Sequence, residues 1–169
     1  MTFVIGEKVV YPNQGIGTIE NISSRSFGAQ FERFYLLRLV YSSMTVMVPF
    51  SNVGNIGLRK ITKNAEINRV LTFLSSGSCS NCSDWKCRFK LNSDKMQSGN
   101  LLQIAEVLKG LLLLQADKPL SFREKKMLDR ARHMLVAELS IARGLQEREA
   151  ISLLERALAK SSLALPAVL

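Results

Sequence analysis

The sequence predicts an α+β protein in two parts: a small antiparallel β barrel or curled sheet over residues 1–60, then a five-helix domain over residues 61–169. Three observations carry this. The period of the apolar residues changes near residue 60, from alternation at two to recurrence at 3.6. Turn residues punctuate the first part at short, even intervals, as in small all-β modules. The 169-residue chain is 47% hydrophobic and 22% charged with 4 Pro and 10 Gly, ordinary globular usage that excludes disordered, collagen-like and disulfide-scaffold readings. No apolar run approaches the ~18–20 residues that span a bilayer. The N-terminus, MTFVIGEK, lacks the basic stretch and apolar core of an export signal. A cytoplasmic protein with no membrane partner is expected.

In the first part, Lys8-Val9-Val10-Tyr11 reads as a strand stopped at Pro12, with Asn13-Gln14-Gly15 as turn residues. Ile16 to Ile22 alternates and is rich in β-branched residues, the mark of a second strand. Ser24 to Gly28 reads as a turn region, Phe34 to Val40 as a third strand and Tyr41-Ser42-Ser43 as a tight connection. Met44 to Val48 is a fourth strand that Pro49 ends or places on an edge. Asn52-Val53-Gly54 and Gly57 close the module.

Beyond residue 60, Asn64 to Ser75 is a helix with Ile67, Val70, Leu71 and Leu74 on one side. Ser83 or Asp84 caps a second helix running to about Gln97. Leu101 to Gln115 is apolar around most of its circumference, leaving Gln103, Glu106, Lys109 and Gly110 as a polar strip, and so belongs at the centre of a bundle. Ser121-x-x-Glu124 is a capping box opening a helix that Gly144 ends. Gln146 to Lys160 is the last helix, and Ser161 to Leu169 reads as a frayed tail.

The formal charge is +9, distributed as +3 over residues 1–60 and +6 over 61–169. A balance of this size favours a polyanionic partner. Enzymatic signatures are missing. Gly15-Ile16-Gly17 is followed by Glu20 and no crossover helix, there is no Gly-Lys-Ser/Thr phosphate loop, and His133 is the lone histidine. No enzyme activity and no cofactor are expected. Cys79-x-x-Cys82 with Cys87 resembles part of a metal site, but a structural zinc wants four ligands and no second pair exists. The cysteines are read as reduced thiols and no metal is expected.

The segment Asp84-Trp85-Lys86-Cys87-Arg88-Phe89-Lys90 holds the sole tryptophan. On a helix, Trp85, Phe89 and Met96 fall within about 40° of one another. Lys86 and Lys90 flank that stripe on one side, Arg88 and Lys95 on the other. Two readings compete. In one, the aromatics fill the core and the basic stems lie along its margin. In the other, Trp85 stands at the surface as a wedge against bases, with Lys86, Arg88 and Lys90 on phosphates.

The residues resemble those of the CarD/CdnL family of bacterial RNA polymerase-binding transcription factors. The matching blocks are Val9-Val10-Tyr11-Pro12-x-x-Gly15-x-Gly17, Val48-Pro49 and Val53-Gly54-x-x-Gly57-Leu58-Arg59 in the first part. In the second they are Trp85-x-x-Arg88-Phe89-Lys90, Ile104 to Leu108 and Leu120-Ser121-Phe122-x-Glu124-Lys125-Lys126-Met127-Leu128. A related first module occurs in transcription-repair coupling factors, which lack the helical domain in that position.

The resemblance implies a Tudor-like barrel that docks on the RNA polymerase β subunit, with Arg25 as a basic contact and Met47 and Pro49 on the docking strand. Some members carry arginine where Met47 stands, so an apolar contact is implied here. It further implies that the helical domain meets promoter DNA at the upstream edge of the melted bubble. There Trp85 would prop open the minor groove with little sequence preference, while Arg88 and Lys90 hold the backbone. The expected function is stabilisation of the open promoter complex by a monomer associated with the nucleoid through polymerase. The alternative is an architectural DNA-binding protein that works without polymerase.

Overall fold

The computed structural model describes residues 2–12, 14–40, 42–79 and 84–166. The chain divides into two compact units, residues 1–61 and 62–169, one residue from the boundary that the change of period suggests.

The first unit is an antiparallel sheet of five strands, β1 (Lys8–Tyr11), β2 (Gly15–Phe27), β3 (Gln30–Leu39), β4 (Thr45–Pro49) and β5 (Arg59–Lys60). Their order is β4-β3-β2-β1-β5, so four strands meander and the fifth returns to the free side of β1. One core holds Val9, Ile19, Tyr35, Leu37, Val48 and Leu58. Residues beside both edges of the sheet share that core, as a curled sheet requires. Tyr35 stacks on Phe50 at 4.2 Å between ring centroids, and its hydroxyl accepts from the Phe3 N–H at 3.1 Å.

The Ser24 to Gly28 stretch departs from its reading as a turn region. β2 and β3 run on as a two-stranded ribbon to the pair Phe27–Gln30, and only Gly28 and Ala29 turn. Gly28 has φ 62°, the left-handed conformation that a two-residue hairpin loop asks of its first position. The serines mislead because ribbon residues beyond the core are exposed on both faces and carry no apolar alternation. The Asn52-Val53-Gly54 stretch, expected as a closing turn, winds into a 3₁₀ turn (Phe50–Asn52) and a four-residue helix, α1 (Val53–Ile56), ended by Gly57 at φ 81°. The described residues therefore form six helices, not five.

The other five lie in the second unit: α2 (Asn64–Ser76), α3 (Trp85–Ser98), α4 (Leu101–Asp117), α5 (Phe122–Arg143) and α6 (Glu147–Ala159). α4 is the central element, as its apolar circumference implies, burying nine residues from Leu101 to Leu112. Its expected polar strip is partly internal. Lys109 is buried, and its Nζ donates to the Phe73 carbonyl at 2.9 Å and the Gly77 carbonyl at 2.6 Å. A cation thus closes the C-terminus of α2, where the helix dipole favours one.

Glu138 of α5, also buried, accepts from the backbone N–H of Thr62 at 2.9 Å and from its hydroxyl. The tail is docked rather than frayed across its described length. Ser161 donates to the carbonyls of Leu74 and Ser75, Leu163 and Leu165 pack on the core, and Arg132 donates to the Pro166 carbonyl. Among the described residues, no helix is long and apolar enough to cross a membrane.

Candidate nucleic-acid interface

α3 begins at Trp85 because Asp84 caps it, its carboxylate accepting from the Lys86 N–H at 3.4 Å. Ser83, the other expected cap, lies outside the described residues. Side chains lean toward the N-terminus of a helix, so the ring at the first helical position projects beyond the first turn. Trp85 is 58% exposed. The apolar stripe of α3 is graded: Phe89 is half-buried and Met96 is 3% exposed. The Arg123 guanidinium covers the Phe89 ring at 4.6 Å. The core-filling reading therefore holds for Met96 and fails for Trp85.

The two basic flanks of the stripe also part company. Lys86 and Lys90 are exposed, with the Lys86 ammonium 5.8 Å from the Trp85 ring centroid. On the other flank Lys95 pairs with Glu106 of α4 at 3.0 Å. Arg88, expected on a DNA phosphate, is only 6% exposed. Its Nε donates to Glu124 Oε2 at 3.0 Å and its terminal nitrogen to Oε1 at 3.4 Å, a forked pair between α3 and α5. A guanidinium so committed is an internal strut between α3 and α5, with little surface left to offer a phosphate.

Glu124 explains a detail of its own helix. Ser121 caps α5, accepting from the Glu124 N–H at 3.3 Å. The carboxylate completes the expected capping box, accepting from the Ser121 backbone, and also accepts from Arg88 and from the Ser121 hydroxyl. Burial pushes the Glu124 carboxyl up, but hydrogen bonding and charge from Arg88, with help from Ser121, outweigh it and leave the pKa below the ordinary value.

The arrangement brings in residues that the sequence reading did not name as contact residues. Phe122, first residue of α5, is 66% exposed with the Lys126 ammonium 4.7 Å from its ring. Arg123, Lys125 and Lys126 are exposed around it. The available signal was negative: Phe122 lies outside the buried stripe of Leu128, Ala131, Leu135 and Leu139.

In the first unit, strand alternation sorts β4 into buried Val48 and exposed Met47, which is 38% exposed. Among the described strands β4 is an edge of the sheet, and Pro49 ends it. The register places Arg25 opposite Glu32, Pro49 opposite Phe34 and Met47 opposite Leu36. Glu32, Phe34 and Leu36 alternate along one side of β3, so Arg25, Met47 and Pro49 share the face turned away from the core. A shallow groove of about 550 Å³ on this unit is lined by Phe27, Phe31, Glu32, Phe34 and Pro49 among others.

Cys79 is half-buried, and burial pushes its thiol pKa up; Cys87 is exposed on α3. Cys82 lies outside the described residues. No group of three metal-ligating side chains occurs among the described residues. His133 sits on α5 with Nε2 3.4 Å from the Asp129 carboxylate.

A curled antiparallel sheet that ends on β4, followed by a helical unit that displays an aromatic among basic residues, gives the chain two units, each with a candidate contact surface. The family described as "CarD-like/TRCF RID domain" matches residues 3–62, and that described as "CarD, C-terminal domain" matches residues 69–155. The Bacillus subtilis (strain 168) protein described as "Putative transcription factor YdeB" is 34% identical over 147 residues, covering 87% of this chain and 96% of that one. The chain belongs to the CarD family and is a CarD-like transcription factor. Its first unit is also similar to two solved Myxococcus xanthus structures. The 72-residue N-terminal domain of CarD is 36% identical, covering 35% of this chain and 79% of that one at TM-score 0.31. CdnLNt is 39% identical, covering 36% and 86% at TM-score 0.31.

Proposed function

We propose that this protein regulates transcription initiation from two contacts at once, docking on the RNA polymerase β subunit through its first unit and stabilising the open promoter complex through its second. On the polymerase side the contacts are Arg25, Met47 and Pro49. The shared outer face of these residues and the accessible edge of β4 suit the addition of a partner strand, in which backbone hydrogen bonds supply affinity and neighbouring side chains supply selectivity. Met47 makes an apolar contact there.

On the DNA side, Trp85 enters the minor groove at the upstream edge of the bubble while Lys86 and Lys90 hold phosphates. Such a wedge costs a few kcal/mol of unstacking, offset by contacts to the bent DNA. Arg88 serves from within, holding the first turn of α3 against α5. Phosphate contacts carry no sequence information, so one protein could act at many promoters. A weak, salt-sensitive DNA contact becomes effective once polymerase tethers it. The protein acts as a monomer, in the cytoplasm, bound to the nucleoid through polymerase, and performs no catalysis of its own.

The observation that carries this reading is the exposure of Trp85 at the head of α3, between a solvent-facing basic flank and a buried strut. The test is the lifetime of competitor-challenged open complexes with saturating protein. Trp85→Ala is expected to lose the lengthening while core polymerase still co-purifies with the variant. An unchanged lifetime with the fold intact refutes the wedge. Arg25→Glu is expected to abolish co-purification with core polymerase in the absence of DNA. If the wild-type protein does not co-purify either, a polymerase-independent architectural role replaces the docking half.

A further inference from the structure

The helical unit carries an open cleft that the proposed function does not use. It lies at the C-terminal end of α5, whose first turn holds Glu124 and whose last residue is Arg143. At 1.5 Å per residue that end is about 30 Å from the Arg88–Glu124 pair. The cleft, of about 830 Å³, is lined by Asn64 and Asn68 of α2, Arg143 and Leu145 at the end of α5, and Leu153 and Arg156 of α6. Its two arginines come from different helices. Arg143 is half-buried and held in place, donating to the Asn68 side-chain oxygen. Arg156 is exposed and pairs with no acid among the described residues. The carboxylate on the cleft wall, Glu149, serves its own helix by accepting from the Gln146 N–H at 3.1 Å. A guanidinium has five N–H donors, so most of those in the cleft are open to the acceptors of a ligand.

Charge and apolar surface together select that ligand. α6 carries Glu147, Glu149 and Glu155 against Arg148 and Arg156. A nucleic-acid duplex, charged at every phosphate, would meet repulsion there beside each attraction. Leu145 and Leu153 are half-buried, yet neither is among the apolar residues packed on the core of the unit. An inorganic anion would pair with the arginines and leave those leucines in water. A peptide that sets a carboxylate beside an apolar side chain answers both. The planar guanidinium fits a carboxylate through two parallel hydrogen bonds, and arginine is enriched where protein partners bind most strongly. Arg143, already fixed by Asn68, has less freedom to lose on binding.

We infer that this cleft is a docking site for an acidic segment of a partner protein, which sets a carboxylate on Arg143 and Arg156 and an apolar side chain on Leu145 and Leu153. The site goes beyond the proposed function and shares none of its contact residues, so either can fail without the other.

The experiment follows backbone amide shifts of the isotope-labelled full chain during titration with four probes. These are the capped peptide Glu-Glu-Leu-Glu-Glu-Leu, its counterpart with glutamine for glutamate, inorganic phosphate, and a short DNA duplex. The glutamate peptide is expected to give saturable shifts centred on Asn68, Arg143, Leu145 and Leu153. The glutamine peptide should bind about tenfold more weakly or worse, as should the glutamate peptide to Arg156→Gln, since a charge-assisted pair contributes about that factor. Arg156 has no side-chain partner to lose among the described residues, so Arg156→Gln should keep the wild-type far-ultraviolet ellipticity. Equal binding of the two peptides, undiminished affinity in Arg156→Gln, or no saturable shift at the cleft overturns the inference. So does phosphate that gives the same shifts at the same concentration, which marks a site for free anions. Shifts at the cleft from the duplex overturn it too, since they make the cleft a nucleic-acid surface.

Discussion

The two units present their candidate contact residues by different physical means. In the sheet, Met47 is outward because Val48 is inward. The pleat exchanges faces at every residue, so burial of one side chain exposes the next. In the helical unit, Trp85 is outward because it stands at the head of a helix whose first turn is held by an ion pair with another helix, 36 residues on. The first arrangement is local and tolerates change around it. The second depends on tertiary contacts, above all the buried Arg88–Glu124 pair, with Arg123 over Phe89 beside it. The lesson is that the outer face of the sheet should survive most point substitutions, whereas the exposed head of α3 should not.

The ion pairs of the two units give the largest expected contrast. Arg88–Glu124 is buried at both partners, while Arg38–Glu20 in the sheet, at 2.6 Å, is 57% and 37% exposed. Arg88→Ala strands a buried carboxylate and should destabilise the helical unit by about 3–5 kcal/mol. Arg38→Ala should cost less than about 1 kcal/mol. Urea unfolding followed by far-ultraviolet ellipticity reads the first, and amide exchange in the sheet reads the second. Equal costs would break the comparison.

The same buried pair makes the helical unit acid-sensitive. Glu124 has a folded pKa below its unfolded one, so its contribution is fully present above the ordinary glutamate value of about 4.3. It is lost as pH falls through the depressed folded value. Stability of the helical unit against pH should therefore fall in that window, and Glu124→Gln should remove this part of the slope.

The next effect belongs to the sheet. Tyr35→Phe deprives the buried Phe3 N–H of its acceptor and should cost about 1–3 kcal/mol, visible as faster amide exchange in β1 and β3. Smaller still is Asn100→Ala, which removes the cap of α4, accepting from Leu102 and Gln103 at 2.9 and 3.3 Å. A loss of about 1 kcal/mol is expected in urea unfolding. The smallest is Trp85→Ala, which should leave stability within about 0.5 kcal/mol. As the sole tryptophan, Trp85 should also emit as a solvated indole and be quenched freely by iodide. A blue-shifted, protected emission would count against its exposure.

Much of the fold is legible in particular residues. The period change at residue 60 locates the division of the chain, and the apolar circumference of Leu101 to Gln115 gives the central helix. Gly144, at φ 63°, ends α5 as expected of a C-terminal glycine. The misreadings share one cause. Ser24 to Phe27 reads as loop though it is strand, because a ribbon without a core face carries no period. Arg88 and Lys109 read as solvated cations though both are buried. A one-dimensional pattern ranks cations as surface residues and does not reveal the carboxylate or carbonyls that take them in. The tail is misread for the same reason, since Ser161 and Arg132 bond to partners remote in the chain.

By itself, then, the sequence determined the two units, most of their secondary structure and the candidacy of the Trp85 segment, because periodicity, caps and composition are properties of neighbours along the chain. Only tertiary structure decided which side of that segment meets solvent. Trp85 with Lys86 and Lys90 faces out, and Arg88 faces in, because Glu124 on another helix receives the guanidinium and turns that flank of α3 inward. The exposed ring of Phe122 beside the same strut was likewise not decided by its neighbours. Which face of an amphipathic helix is buried at its end depends on what the fold brings against it, and that partner is written elsewhere in the chain.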